Sequence, residues 1–228
     1  MTANIDIDVN SGVQTNIGMD FQKHCTVYLF LEKYEELKNS QYFIILEHLE
    51  DIIFGFINDT AKLTKIETYQ AKKSTNKWSL NGLLEIIKKI TDTSQWVLDD
   101  DHQKSKSFYQ QNYFATNNTI ELKCKIKNQK NISATNIINE VNNTLSYLDL
   151  DQRIKDKICI GKKEGENKVI FGSNNISNLE TLFFKYIDLS RTSKSQSEQL
   201  RGKFQTVFGD GILDYDAALT AIPDAMHS

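Results

Sequence analysis

Three apolar runs decide the fold: Tyr42-Phe43-Ile44-Ile45-Leu46, then Ile52-Ile53-Phe54-Gly55-Phe56-Ile57, then Leu63-Thr64-Lys65-Ile66-Glu67-Thr68-Tyr69-Gln70-Ala71-Lys72. β-Branched and aromatic residues dominate them, which favours strands over helix. Their separators, Glu47–Asp51 and Asn58–Lys62, are short enough for hairpin turns, so the runs read as an antiparallel meander. A helix is expected before them at Met19–Lys38 and another after them at Ser79–Thr93. In the second, Leu80, Leu83, Leu84, Ile87 and Ile90 form one stripe, Ser79 is placed to cap, and Glu85 pairs with Lys89 at i,i+4.

Outward from this centre, residues 1–17 are polar and unpatterned and read as a loosely held arm. Asp99–Lys106 is a charged loop, followed by strands at Phe108–Thr116 and Ile120–Ile126. Further helices are expected at Ser133–Leu148, Ile176–Leu189 and Ser195–Phe208, with a short strand at Lys168–Phe171. This order indicates an α/β or α+β domain with helices packed on a mixed sheet.

Composition narrows the class. With 39% hydrophobic and 10% aromatic residues in 228, the chain can bury a core and is no disordered segment. Cys25, Cys124 and Cys159 are an odd, widely spaced set, which argues against a disulfide framework or structural zinc and for a reducing compartment. Met1–Asn10 carries two Asp and no basic segment, unlike a signal peptide, and no apolar run approaches a bilayer span; a cytoplasmic, non-membrane protein is expected. Neither a phosphate-cradling glycine loop nor a G-x-S-x-G elbow is present. A net charge of −3 gives no global nucleic-acid signature, so such a function must rest on local features.

The local feature is at the ends of the second and third runs. On a strand, Thr68, Gln70 and Lys72 share one face, and Asp51 stands at the start of the neighbouring strand. A carboxylate and an amide oxygen are hard ligands of the kind Mg²⁺ accepts, and a nearby ammonium can orient hydroxide and offset charge on phosphorus. Glu67 falls on the opposite face and is left out of the site. Lys72, Lys73 and Lys77 can hold a phosphate backbone, whereas Lys123, Lys125, Lys127 and Lys130 read better as a solvated face. Trp78, Trp96 and Cys25 read as packing residues.

This layout resembles the PD-(D/E)xK nuclease superfamily in its Q-x-K form, Gln70-Ala71-Lys72. Gly18-Met19-Asp20-Phe21-Gln22, the Leu-Glu-x-x-Glu-Asp-Ile run, Tyr-Gln-x-Lys, Trp78 and Tyr113-Phe114-Ala115-Thr116-Asn117 narrow it to the double-stranded DNA endonuclease domain of CBASS-type antiphage effectors, usually fused to a SAVED sensor. The resemblance covers residues 18–118 and implies a restriction-endonuclease-like core within one domain, 18–228, with a helical remainder from 119. It implies Asp51, Gln70 and the Ala71 carbonyl as metal ligands, Lys72 as the water-positioning residue, and Gln22 as a helix-borne polar group in the same pocket. Glu47 is implied in a second metal position, with Glu50 an alternative to Asp51 or Glu47, although taken by itself Glu50 reads as a solvated turn residue rather than a ligand. The cofactor expected is Mg²⁺ or Mn²⁺, the substrate duplex DNA, and the partner a second copy or a sensor in cis or trans. A neutral Gln70 in place of an acid leaves open an inert binding module, and RNA remains an alternative polymer.

Overall fold

The computed structural model describes residues 6–46, 50–125, 133–162 and 168–209. Helix α1 (Asp6–Glu32) is followed, after a break at Lys33, by the single turn α2 (Tyr34–Leu37). The expected loose arm is therefore helical backbone from Asp6 onward. Strands β1 (Gln41–Leu46), β2 (Ile52–Ile57) and β3 (Leu63–Lys72) form the antiparallel meander read from the sequence. Gly55 on β2 sits opposite Phe43, whose ring lies where a Cβ would be, 2.1 Å from its Cζ. That close approach is what the glycine in an otherwise apolar run permits.

The two-residue strand β4 (Trp78–Ser79) leads into α3 (Leu80–Asp99), capped by the Ser79 hydroxyl accepting from the Gly82 amide at 3.4 Å. Strand β5 (Lys104–Thr116) returns parallel to β3. Beyond it the helical remainder expected from residue 119 is instead mixed: β6 (Ile120–Lys125), β7 (Ser133–Ile138), β8 (Thr144–Ser146), α4 (Gln152–Ile160), α5 (Ser173–Asn178), β9 (Leu182–Tyr186) and α6 (Ser193–Phe208). The strand order is β1-β2-β3-β5-β9-β8 in one mixed sheet and β4-β6-β7 in a smaller one.

Two expected helices are corrected. At 133–148, Ala134 and Ile138 turn inward on β7, and the Asn139 side chain accepts from the amides of Val141 and Asn142 in a tight turn. Asn in that role competes with helix, and spaced apolar residues had only mimicked its period. At 176–189, Leu182-Phe183-Phe184-Lys185-Tyr186 pairs parallel with β5, because aromatic residues fill a sheet interior better than a helix face. The strand expected at Lys168–Phe171 reduces to one bridge, Lys162 to Val169. The stretch Gln152–Ile160, not read as helix from sequence, is α4, capped by Asp151.

Helices cover both faces of the large sheet. On one, Phe21, Cys25 and Leu29 of α1 and Leu200 and Phe204 of α6 pack on Phe54, Tyr69, Ala71, Tyr113 and Ala115. On the other, Leu83, Leu84 and Ile87 of α3 pack with Phe114, Leu182 and Phe184. Alternation along β3 therefore sends Tyr69 and Ala71 toward α1, and Thr68 and Gln70 toward α3. A buried polar layer marks the α3 side: the Thr68 hydroxyl donates to Asn112 Oδ1 at 2.8 Å, and Asn112 Nδ2 donates to Thr181 and Ser94. No helix among the described residues is long and apolar enough to cross a membrane.

Candidate active site

Asp51 ends the β1–β2 connection, one residue before β2, and the antiparallel register from Ile52↔Tyr69 carries it alongside Gln70. Its Oδ2 accepts from Gln70 Nε2 at 2.5 Å and from the Ala71 amide at 2.8 Å, and Lys72 Nζ stands 3.8 Å away. Three of the residues read from the sequence are thus gathered around one carboxylate oxygen. Gln70 is buried, Asp51 nearly so, and the Lys72 side chain is 42% exposed, so the cluster opens to solvent at its lysine.

Ala71 meets Asp51 through its main chain. Its amide N–H, rather than its carbonyl, is what touches Asp51. In a strand the N–H and C=O of one residue point to the same edge, so its carbonyl also faces the Asp51 side.

The far side of Gln70 holds a residue the sequence reading had assigned elsewhere. Lys89 Nζ, on α3, donates to Gln70 Oε1 at 2.5 Å and lies 3.6 Å from Glu50 Oε2. It is not paired with Glu85, which is exposed. The signal lay in its place at the edge of the apolar stripe, four residues before Thr93, which is buried. Glu50, which by itself reads from the sequence as a solvated turn residue, is instead buried. Its side chain is 1% exposed, and neither carboxylate oxygen has a hydrogen-bond partner. Burial pushes its carboxyl above the usual range; Lys89 and Thr93 oppose the shift, and Asp51 adds to it.

The remaining expected residues spread out. Gln22 is half-buried on α1, which packs on the face of β3 opposite Gln70, and its side chain makes no hydrogen bond to Asp51, Gln70 or Lys72. One turn further on, buried Cys25 has its thiol pushed up by burial and, secondarily, by the charge of Asp51, so α1 does skirt the site. Glu47 lies outside the described residues. Lys73 and Lys77 flank the loop after β3, half-buried and exposed respectively. Lys123 pairs with Glu121, as a solvated face would, while Lys127 and Lys130 lie outside the described residues. Trp78 packs edge-on against Phe114 and donates to the Thr116 hydroxyl at 3.0 Å, but Trp96 is 64% exposed and is no packing residue.

Glu67, on the other face of β3, belongs to a separate charge cluster. Its carboxylate pairs with Lys33 at 2.7 Å and Lys65 at 2.6 Å and accepts from the Tyr69 hydroxyl at 2.8 Å.

Among the described residues no three His, Cys, Asp or Glu side chains group as a metal cluster. The donors about Asp51 are its own carboxylate and that of Glu50, whose oxygens are unsatisfied, the Ala71 carbonyl, and the Gln70 amide oxygen once that amide turns over. These are hard oxygen donors, and they fit a Mg²⁺ or Mn²⁺ ion that keeps part of its own hydration. Compared with family models, curated proteins and solved structures, the chain has no match in any of the three.

Proposed function

We propose that this chain is a metal-dependent endonuclease that hydrolyses phosphodiester bonds of double-stranded DNA with little sequence preference. The observation that carries the reading is the convergence of Asp51, Gln70 and Lys72 from two adjacent strands onto one carboxylate oxygen at an open end of the sheet. The resemblance to antiphage effector nucleases extends the reading to bacterial defence in the cytoplasm.

In this mechanism Asp51, the Gln70 amide oxygen and the Ala71 carbonyl hold the metal, joined by Glu47 if a second ion binds. Mg²⁺, or Mn²⁺ in its place, supplies positive charge against the phosphate oxygens when bound. Lys72, exposed at the mouth of the cluster, orients the attacking water and offsets the charge that develops on phosphorus. Lys73 and Lys77 hold the neighbouring phosphates, and Gln22 lines the approach from α1. A net charge of −3 makes one copy a weak DNA binder, so activity depends on assembly with further copies or a sensor.

A second reading is an inert binding module on the same fold. The observation favouring it is that Gln70 is neutral and has both ends of its amide engaged, by Asp51 and by Lys89.

Plasmid degradation with Mg²⁺ at low salt, across a range of protein concentrations, tests the proposal. Loss of degradation in Lys72→Ala, in Asp51→Ala and with EDTA supports the nuclease. Equal degradation by all three proteins refutes the site, and a Lys72→Ala chain that keeps its biological effect favours the module. Competition by single strands or RNA identifies the polymer.

A further inference from the structure

We propose that Glu50 joins Asp51 as a ligand of the divalent cation, and that Lys89 is the ammonium such an ion displaces from Glu50 and Gln70. The proposal rests on the metal-dependent reading above and deepens it.

The argument begins with an expensive carboxylate. Both Glu50 oxygens are buried without a close hydrogen bond, the Thr93 hydroxyl and the Lys89 ammonium being the polar groups set against them, and a carboxylate so poorly partnered is strongly disfavoured unless a cation faces it. Among the described residues the ammonium within 4 Å is that of Lys89, 3.6 Å from Oε2. That is too far for a hydrogen bond, and the ammonium's shorter contact is to Gln70 Oε1 at 2.5 Å. One cation therefore spans an orphaned carboxylate oxygen and an amide oxygen, and that same amide is bonded to Asp51 at its other end. One carboxylate oxygen and an amide oxygen thus face the same positive charge, with the Asp51 carboxylate across that amide, and these are the donor types a hard divalent ion takes.

Lys89 is suited to leave. Its side chain is 55% exposed, so its ammonium can return to water, and exposed lysines hold their partners weakly. Asp51, by contrast, is fixed by the Ala71 amide and is in place before any ion arrives. The sequence pair Glu50-Asp51 then supplies both anionic ligands from one turn of chain, which offsets the neutrality of Gln70.

The test is Mn²⁺ binding to the full chain without DNA, with free ion read by electron paramagnetic resonance. Wild type is compared with Glu50→Gln, Lys89→Ala and Asp51→Asn, each checked for folding by circular dichroism. Expected are binding weaker by about tenfold in Glu50→Gln and tighter by about three- to tenfold in Lys89→Ala, the latter being the release of one competing charged hydrogen bond. Lys89→Met serves in place of any variant that does not fold, with the same tightening expected. Unchanged affinity in Glu50→Gln, or unchanged or weaker affinity in either Lys89 variant, overturns the proposal. Asp51-dependent plasmid cleavage with Glu50→Gln binding Mn²⁺ normally refutes this inference alone. Mn²⁺ binding weakened in both Glu50→Gln and Asp51→Asn, with plasmid left intact at every protein concentration, upholds this inference and counts against the nuclease reading alone.

Discussion

Gln70 presents its amide nitrogen, not its oxygen, to Asp51: Nε2 donates to Oδ2 at 2.5 Å while Oε1 accepts from Lys89. For Gln70 to ligate a metal beside Asp51 its amide must turn over, exchanging one end for the other. The neutral residue thus links Asp51 to Lys89 by hydrogen bonds, and Lys89 in turn stands 3.6 Å from Glu50, whose oxygens are left without one.

Replacing Gln70 with Glu tests that relationship. A carboxylate there faces Asp51 without a donor, and like charges in contact disfavour each other's ionised forms. The Gln70→Glu chain is expected to lose about 1–2 kcal/mol of stability in EDTA and to regain it in Mg²⁺. Urea denaturation with and without the ion checks both halves.

Lys72 is expected to separate chemistry from folding. Its side chain is 42% exposed and makes one long ion pair, at 3.8 Å, so Lys72→Ala should alter stability by no more than about 0.5 kcal/mol. Any cleavage by the wild type should fall by about 10²-fold or more, as for other removed proton-handling groups. Thermal melts and plasmid assays on one preparation compare the two effects.

Glu67 makes stability depend on acid. Burial alone would push its carboxyl up, but Lys33 and then Lys65 outweigh burial and hold it below the usual range. A carboxyl depressed in the folded state contributes stability above its unfolded value and loses it as pH falls through the folded value. Wild type should therefore weaken below about pH 4.5, the ordinary glutamate range. Glu67→Gln should cost about 2 kcal/mol at neutral pH, by leaving Lys33 and Lys65, among the described residues, only the more exposed Glu36 as a charged partner, and should show a flatter acid limb. Melting temperature followed from pH 7 to 3 measures both.

Gly161 ends α4 with φ at +65°, and a Cβ there would stand 2.3 Å from the Val169 carbonyl oxygen. Left-handed backbone and a clash with main chain act together, so Gly161→Ala should destabilise by about 2 kcal/mol or more. Gly202, inside α6 with open space around it, should gain by the same change. Denaturant midpoints of the two variants should move in opposite directions.

Local pattern alone determined the meander, the stripe and cap of α3, and the pairing of Asp51 with Gln70 and Lys72. Each follows from a period of two or 3.6 residues, or from a turn too short to separate its strands. Where apolar spacing fitted both periods, as in Ser133–Leu148 and Leu182–Tyr186, the decision lay with distant partners, β6 for the first and β5 for the second. The second pairing brings together residues about as far apart as Asn112 and Leu182, which no window of sequence contains, and the first is a hairpin whose partner strand a window centred on 133–148 leaves out. The same is true at the site: Lys89 looked like the partner of Glu85 one turn away. Packing α3 across β3 placed Lys89 between Gln70 and a carboxylate, Glu50, that the fold had sealed from water. Sequence named the atoms that can hold charge, and only tertiary packing decided which of them had to share it.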